Sequence, residues 1–485
     1  MSKIKEMITY LLGTVGVSIF SFILSILYSR FFIPADYGMF SLTYSIYNLG
    51  FQFFTGWMTH SILRFYSLYN ETEKKEKILL NTILFTLIFA GVLYSVLTIL
   101  GILLFSLNTT SDISLLIFSI VFYFEGALLI FNTFLRSSGQ SKQYSKNITF
   151  NSLGKSLVLL VLYYIFNIHN VLIIVISLFI SDFAQTIYLV WKLKITKSIS
   201  INLFNKNLFF KLIKYGFPLL GTSLIFWVIQ SSDKFIISFF KSSNEVGLYS
   251  YGYQMGFTLF YTFTNAIMLG AYPRITEAYI KFGKKQAESV ISKYMQIYLY
   301  MVAPAVIGIV FTGKDIIYLI CDEQYWACYP IFIITCISFA VFGLIQYTNK
   351  SWELSERTEM ILKLNIMSAV INVIINFIFI PQYGYIIGAI STLVSFLVHI
   401  VISLILSRGF ITYRIPFKYL RNIIVANIVM INSILLFKMY FTIDLARLFI
   451  MIIFAAGVYF FILLILKDEN LSSICSILLK RKEDV

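Results

Sequence analysis

Apolar residues fill long uninterrupted stretches of this chain, and polar residues are concentrated in the short segments between them. A helix that spans a bilayer needs about 20 predominantly apolar residues, and it pairs its own backbone groups where lipid offers no partner. Fourteen stretches reach that length, so the pattern predicts an all-α polytopic membrane protein with about 14 transmembrane helices. The predicted spans are 7–32, 38–63, 78–106, 113–135, 148–167, 171–191, 214–239, 246–271, 291–312, 328–349, 360–380, 384–406, 418–439 and 446–466.

Composition and charge distribution agree with this pattern. Hydrophobic residues make up 59% of the 485 residues and charged residues only 13%, and the mean hydropathy is +0.84. With the amino terminus placed in the cytoplasm, 31 of the 38 Lys and Arg residues fall on the inner side of the spans and five on the outer side. Cytoplasmic segments of membrane proteins carry such an excess. The alternation supports fourteen spans and predicts that both termini are cytoplasmic.

The net charge of +15 does not indicate nucleic-acid binding. The basic residues of the chain lie in short inner segments, where they can interact with anionic lipid headgroups. No basic block has the interleaved aromatic residues of a nucleic-acid-binding module. Walker and Gly-x-Ser-x-Gly motifs are absent from the sequence, and the three His residues lack metal-ligand spacing. We therefore expect no nucleic-acid partner, no cofactor, no metal site and no enzymatic activity. Whether Cys321 and Cys328, which flank an outer segment, form a disulfide stays open.

A repeat at an offset of 209 residues divides the chain into two halves. Residues 36–41, Asp-Tyr-Gly-Met-Phe-Ser, align without a gap on residues 245–250, Glu-Val-Gly-Leu-Tyr-Ser. Each repeat holds six spans, an even number, which predicts two pseudo-symmetric six-helix lobes of the same orientation with a binding site at their interface. We assign 1–193 to the N-lobe, 194–213 to an interfacial linker helix, 214–407 to the C-lobe, and 408–485 to spans 13 and 14 with a cytoplasmic tail.

One face of the second span and one face of the eighth span carry polar side chains on otherwise apolar helices. The polar positions recur every three or four residues, which is the spacing of a single helical face. Hydrogen bonding between helices is one explanation for such residues in membranes. Because the pattern recurs at equivalent positions of both halves, we favour a role in lining a water-filled cavity or contacting sugars. The candidates are Tyr44, Asn48, Gln52, Tyr253 and Tyr261.

Five ionisable residues lie inside predicted spans. Each costs roughly 2.5–3.5 kcal/mol at the centre of a helix on insertion scales, so each requires a partner or a function. Glu125, Asp233 and Asp182 are the candidates for ion coupling, with a satisfied buried acid as the alternative, which we favour for Asp182. Lys234 is the candidate for a cation that faces the cavity, with a structural ion pair as its alternative. Lys155 also lies within a span.

Arg136, Lys350 and three candidate arginines, namely Arg30, Arg64 and Arg274, lie at the ends of predicted spans. Extension of the side chain to the membrane interface explains any one of them. Arg64 and Arg274 each close a helix with a polar face at its inner end, where an anionic headgroup would enter from the cytoplasm. Together with Lys234, these arginines are our candidates for binding such a headgroup.

Short sequence blocks spread over the whole chain form a set with a recognisable order and spacing. The blocks are 31–38 followed by Arg64, then 215–218, 233–237, 246–249, 372–376, and 380–384 followed by Gly388-Ala389. As a set, they resemble bacterial polysaccharide and O-antigen flippases of the Wzx type. This family belongs to the multidrug/oligosaccharidyl-lipid/polysaccharide (MOP) exporter superfamily.

The resemblance implies a MATE-like pair of six-helix lobes that moves an undecaprenyl-pyrophosphate-linked oligosaccharide repeat unit, of O-antigen or capsule type, across the bacterial cytoplasmic (inner) membrane. Alternating access and a gradient of H⁺ or Na⁺ are implied as the mechanism and the driving force. Pyrophosphate contacts are implied for Arg30, Arg64, Lys234 and Arg274, of which only Lys234 lies in a matched block. The implied partners are the lipid-linked oligosaccharide, membrane lipid, and a polysaccharide polymerase or chain-length protein.

Three alternative functions stay open. An ion-coupled multidrug exporter of the same superfamily usually carries an acidic residue inside the first helix, and span 1 has none, while Lys234 would repel cationic drugs. The same fold would also serve an exporter of another lipid-linked precursor. A membrane glycosyltransferase or polysaccharide polymerase needs a sizeable outer loop to hold the sugar donor, and the longest outer segment, 312–326, leaves little room for one.

Overall fold

A computed structural model describes residues 3–70, 72–105, 108–195, 199–411, 416–466 and 468. These residues form fourteen long α-helices, one short α-helix and four short 3₁₀ helices, with no strand among them. The predicted all-α fold is therefore confirmed. Most of the predicted cytoplasmic tail, 469–485, lies outside the described residues.

The helices follow one another through short connections, and the fourteen long ones match the fourteen predicted spans in order. They are α1 (Lys3–Phe31), α2 (Pro34–Tyr69), α3 (Glu73–Phe105), α4 (Thr109–Ser137), α5 (Ser141–Tyr164), α6 (Leu172–Lys192), α8 (Leu220–Phe240), α9 (Ser243–Phe282), α10 (Lys284–Ile320), α11 (Tyr329–Leu354), α12 (Thr358–Tyr383), α13 (Ile386–Leu406), α14 (Phe417–Tyr440) and α15 (Leu445–Ile465). The short helix α7 (Lys206–Gly216) precedes α8.

Eleven of the long helices are long and apolar enough to cross a membrane, which confirms a multi-pass membrane protein. The three that fall short of this apolarity are α2, α5 and α9. Two of them, α2 and α9, carry the polar faces noted in the sequence, and α5 carries a row of hydroxyl residues and Lys155. That these three helices also cross the bilayer stays a prediction from the charge alternation.

Local sequence signals set several helix ends. Pro34 stands at the first turn of α2, where its missing N–H and fixed φ suit a helix start. The side chains of Asn108 and Asn205 accept hydrogen bonds from the backbone N–H of Ser111 and Leu208, at 2.8 and 2.9 Å, and so cap α4 and α7. Beyond α4 the chain turns at Gly139, whose φ of +71° favours glycine.

The chain divides into two compact units. The first contains the residues up to Ser250 together with Val373–Gly388, and the second contains Tyr251–Asn372 and the residues from Ala389 onward. Both α9 and α12 therefore contribute to each unit. The lobe boundaries that we assigned from the repeat stay predictions.

Within the first unit, α1 and α5 pack closely along their length through hydroxyl groups and glycines. Hydroxyl groups at the spacing of one face of α5 donate to backbone carbonyls of α1. The donors are Ser145, Thr149, Ser152 and Ser156, and the acceptors belong to Thr9, Gly13, Val17 and Phe20, at 2.7, 3.2, 3.3 and 3.4 Å. Small residues let helix backbones approach in a membrane, and hydroxyls then bond across the contact. This packing fixes the helix that carries Lys155.

The glycines of the repeat, Gly38 and Gly247, meet in the first unit, where the start of α2 touches the start of α9. A β-carbon on Gly38 would overlap the carbonyl of Ser243, and one on Gly247 would overlap the carbonyl of Pro34. Both positions therefore require glycine because backbone lies directly against backbone. The repeated Gly serves the same purpose in both copies of the repeat.

Helix α7 lies against α2 and α3 in the region where we predicted an interfacial linker. Leu208 and Leu212 are buried, whereas Phe210 is exposed, so the helix is amphipathic. The Ser61 hydroxyl of α2 donates to the carbonyl of Leu212 at 2.8 Å. On α3, the Asn81 side-chain oxygen accepts from the backbone N–H of Ser200 at 2.9 Å. These bonds attach the connecting segment to the first unit.

In the second unit, α14 and α15 pack on α10 around an apolar core. Polar contacts hold the three helices at two places. Asp468 accepts hydrogen bonds from the Asn422 amide at 2.6 Å and from the Tyr300 hydroxyl. Near the other end of α14, Lys438 pairs with Asp315 of α10. Buried polar contacts at Asp468 and the partly buried Lys438–Asp315 pair thus hold the two C-terminal helices against α10, in addition to apolar packing.

The second unit also contains Cys321 and Cys328, whose pairing the sequence left open. Neither residue forms a disulfide, and both side chains are buried. The Cys321 sulfur lies 3.2 Å from the hydroxyl of Tyr251. These cysteines therefore pack in the interior without forming a disulfide.

The α1–α5 contact predicts the effect of a single methyl group. In Gly13→Ala the new β-carbon would lie 2.8 Å from the Cα of Ser145, so we expect a loss of about 1–3 kcal/mol of stability, as for other overpacked sites. Gly101→Ala is the matched control, because a β-carbon there meets no atom within 4 Å. The measurement is the melting temperature of each purified variant in detergent. Equal melting temperatures for the two variants would contradict this packing.

Candidate functional site

Asp233 lies at the centre of a fully buried hydrogen-bond cluster in the first unit. Its side chain is 0% exposed, and both carboxylate oxygens have partners. The Tyr249 hydroxyl donates to Oδ2, and the Asn376 amide donates to Oδ1 at 2.6 Å. The cluster joins α8, the start of α9 and the end of α12. A buried carboxylate must be hydrogen-bonded to be tolerated, and this one is.

Lys234, the next residue along α8, points to a different neighbour. Its Nζ lies 3.4 Å from the Ser45 hydroxyl of α2, and the indole N–H of Trp227 donates to the Ser45 carbonyl at 3.2 Å. Lys234 is only partly buried. Among the described residues, no carboxylate lies within 4.0 Å of its Nζ. Lys234 is therefore a cation without an ion-pair partner, placed against the polar helix α2.

A second cluster lies inside the six-helix N-terminal part of the first unit, around a cavity of about 290 Å³ lined by residues of α1, α2, α4, α5 and α6. Three charged side chains face this cavity, namely Glu125, Lys155 and Asp182. The Lys155 Nζ lies 3.1 Å from Asp182 Oδ1. The amide of Asn151 donates to the same oxygen at 2.8 Å. The cavity thus contains three charged groups and an amide although the helices around it are mostly apolar.

Glu125 is bonded on the other side of this cavity. The Tyr47 hydroxyl donates to its Oε2 at 2.5 Å, and the fully buried Tyr47 ring stacks on Phe118 with ring centroids 4.4 Å apart. Two further oxygens of cavity residues are buried without a hydrogen-bond partner in the described part of the chain, Asp182 Oδ2 and Asn132 Oδ1. Buried polar atoms without partners call for an explanation such as a bound water or ion.

The predicted polar faces differ in their surroundings. On α2, Tyr44, Asn48 and Gln52 are all partly exposed. On α9, Tyr253 is 3% exposed and lies beside Phe339, whereas Tyr261 is partly exposed. Their role in contacting sugars stays a prediction.

The three candidate arginines lie on the surface. Arg30, Arg64 and Arg274 are exposed, and within the described residues their side chains form no hydrogen bond or ion pair. Arg30 belongs to the last turn of α1. Within the first unit, Arg30 and Arg64 form no hydrogen bond with the residues around Lys234, and the proposed contact of the three arginines with a headgroup stays a prediction.

Sequence reasoning missed the hydrogen-bond partners of the buried charges. Tyr47, Tyr249 and Asn151 were not among the candidates, and Asn376 was noted only as part of a sequence block. Asn376 and Asp233 lie 143 positions apart, so only the folded chain brings them together. The available signal was the charge itself, since each buried acid requires donors nearby.

The fold defines a helical, multi-pass membrane protein with charged groups buried between its helices. The chain belongs to the polysaccharide biosynthesis protein family, whose match covers residues 4–279, and this confirms the family that the sequence blocks indicated. A curated relative, the "Probable low-salt glycan biosynthesis flippase Agl15" of Haloferax volcanii, is 24% identical over 228 residues. That match spans 47% of this chain and 48% of the relative, about half the length of each.

Solved transporter structures share the fold. "Lipid II flippase MurJ, inward closed conformation" superposes with a TM-score of 0.75 at 16% identity, over 98% of this chain and 100% of that one. An outward-facing multidrug resistance MATE family transporter of the MOP superfamily superposes with a TM-score of 0.57 at 12% identity, over 84% of this chain and 95% of the other. At these identities the likeness establishes the fold, and it confirms the MATE-like architecture expected from the sequence.

The Asp233 cluster predicts a stability defect in one variant. Asn376→Leu removes a hydrogen bond to a fully buried carboxylate, and an unsatisfied buried group of this kind costs about 1–3 kcal/mol or more. Asn432→Leu is the control, because Asn432 is exposed and its amide bonds only to the carbonyl of Ile428 in its own helix. We expect a lower melting temperature for the first variant alone. Similar melting temperatures for both would show that the Asn376 bond contributes little.

Proposed function

We propose that this protein is a flippase that moves a lipid-linked oligosaccharide across a membrane. In full, the proposed cargo is an undecaprenyl-pyrophosphate-linked repeat unit of O-antigen or capsule type, and the membrane is the bacterial cytoplasmic membrane, with both termini of the chain on the inner side. Support comes from membership in the polysaccharide biosynthesis family, from the flippase named among its relatives, and from the shared fold with a lipid II flippase. Alternating access driven by an ion gradient is the proposed mechanism.

The observation that carries this proposal is the unpaired cation Lys234. Both carboxylate oxygens of its neighbour Asp233 accept hydrogen bonds, from Tyr249 and Asn376, and the Lys234 ammonium group forms no ion pair with a carboxylate among the described residues. A partly buried cation in an apolar helix is costly unless a counter-charge arrives. A pyrophosphate group would supply that charge and accept hydrogen bonds from the ammonium. Lys234 is therefore the proposed primary contact of the substrate headgroup.

The remaining candidates have roles that suit their positions. Arg30, Arg64 and Arg274 are exposed and have guanidinium groups free for phosphate, which they bind in a bidentate manner. The polar face of α2, with Tyr44, Asn48 and Gln52, continues from the Ser45 contact of Lys234 and offers donors, acceptors and an aromatic surface for sugar rings. Tyr253 and Tyr261 are proposed to do the same on α9.

Translocation of an intact lipid-linked oligosaccharide breaks and forms no covalent bond, so it needs binding groups and no catalytic group. We therefore propose a transporter without enzymatic activity. A polysaccharide polymerase or chain-length protein is the proposed consumer of the translocated units.

The role of Lys234 is tested with purified protein in proteoliposomes and a fluorescent lipid-pyrophosphate-oligosaccharide whose leaflet is read by quenching. Lys234→Ala should lower the flipping rate by about tenfold or more, each factor of ten corresponding to about 1.4 kcal/mol of lost interaction. Lys234→Arg should retain much of the rate because it keeps the charge.

Lys281→Ala is the control, since that exposed lysine already pairs with Glu277. Equal rates for Lys234→Ala and the wild type would remove Lys234 from the substrate site. A loss of folded protein in Lys234→Ala would favour a structural role instead.

A further inference from the structure

The cavity around Glu125, Lys155 and Asp182 lies apart from Lys234 and has a charge balance of its own. When all three groups are ionised, two carboxylates face one ammonium group, which leaves one negative charge uncompensated. A net charge buried among apolar helices is unfavourable. The cavity therefore favours the uptake of one positive charge, either a proton or a small metal cation.

Lys155 already occupies the position that a metal cation would need at Asp182. Its ammonium lies 3.1 Å from Asp182 Oδ1, and the Asn151 amide takes the same oxygen at 2.8 Å. Hard cations in proteins take several oxygen ligands. The oxygens available for one here are Asp182 Oδ2 and Asn132 Oδ1, which line this cavity and are buried without a hydrogen-bond partner among the described residues. A second cation beside Lys155 would be repelled at short range.

Glu125 is the group left to receive the positive charge. The titratable groups that act on it from the helices around α4 are Tyr47 and Tyr44 on α2, Tyr94 on α3, Lys155 on α5 and Asp182 on α6. Of these only Lys155 is a cation, and its close contact is with Asp182. Tyr47 occupies one carboxylate oxygen of Glu125, so a proton arriving from water binds the other and makes the group neutral.

We propose that this cavity is the ion-coupling site of the transporter and that it takes up a proton on Glu125. Lys155 determines the preference for a proton over a metal cation, because its ammonium group fills the cation position at Asp182. The proposal rests on the proposed flippase function for its biological role. Lys155 is a specificity-determining residue in this account. Without it, the cavity would present two carboxylates and free oxygens, a donor set that suits Na⁺.

The test uses purified protein in lipid nanodiscs without substrate, so its readouts do not depend on flipping. Infrared difference spectra on acidification report the carbonyl band of a protonated carboxyl group, and the melting temperature is measured in NaCl and in choline chloride of equal concentration. For the wild type we expect the band to appear and Na⁺ to give no stabilisation. Glu125→Gln should lose the part of the band that belongs to Glu125, whereas the contribution of the other carboxyl groups should be the same in both proteins.

Lys155→Met should acquire a rise in melting temperature specific to Na⁺. The double variant Lys155→Met with Asp182→Asn is the matched control, because it removes the ion pair as a unit and should keep the proton band without responding to Na⁺. If Lys155→Met alone fails to fold, the comparison of the wild type with Glu125→Gln still decides which ion binds.

Stabilisation of the wild type by Na⁺, or a proton band of equal intensity in the wild type and in Glu125→Gln, would overturn the proposal. A folded Lys155→Met variant that ignores Na⁺ would remove the specificity role of Lys155. If these binding results hold while the reconstituted wild type moves no lipid-linked oligosaccharide, the failure belongs to the proposed flippase function and not to the proton site.

Discussion

Lipid offers no hydrogen-bond partners, and the structure depends on how the chain meets that constraint. Each polar group in an apolar helix must find its partner on another helix or in a polar cavity. Serine and threonine hydroxyls of α5 bond to carbonyls of α1, Asp233 collects donors from Tyr249 and Asn376, and Asp468 ties α14 to α10. Helix packing in this protein is therefore directed by polar contacts as much as by apolar fit.

The same constraint separates structural charges from functional ones. Both carboxylate oxygens of Asp233 accept hydrogen bonds and its side chain is fully buried, which suits a group that holds three helices together. Lys234 beside it lacks a carboxylate partner among the described residues and is partly buried, which suits a group that binds an anion. The Glu125, Lys155 and Asp182 cavity lies between these cases, since its charges are close to balance and one proton completes the balance. In our proposals, substrate binding and ion coupling therefore use different charged residues of the same unit.

Much of the fold could be predicted from the sequence because helix length and charge alternation are local properties. The helices fall where the apolar stretches lie, and Gly38 and Gly247, matched by the repeat, prove to touch. The partners of the buried charges could not be predicted, because Tyr47 and Glu125, or Asp233 and Asn376, are far apart in the chain and meet only after folding. Apolarity alone does not identify α2, α5 and α9 as membrane spans, because their polar residues, which face other helices, lower the mean hydropathy of each helix.

Cells that lack the protein offer the most direct measurement of the central claim. Lipid-linked repeat units are extracted from a deletion strain and from the strain supplied again with the gene, and their leaflet is determined by accessibility to a membrane-impermeant probe. A flippase predicts that the deletion strain holds chemically complete units confined to the inner leaflet and lacks the surface glycan, and that both defects are reversed by the gene. Normal surface glycan with units in both leaflets, or units that are chemically incomplete, would contradict the account.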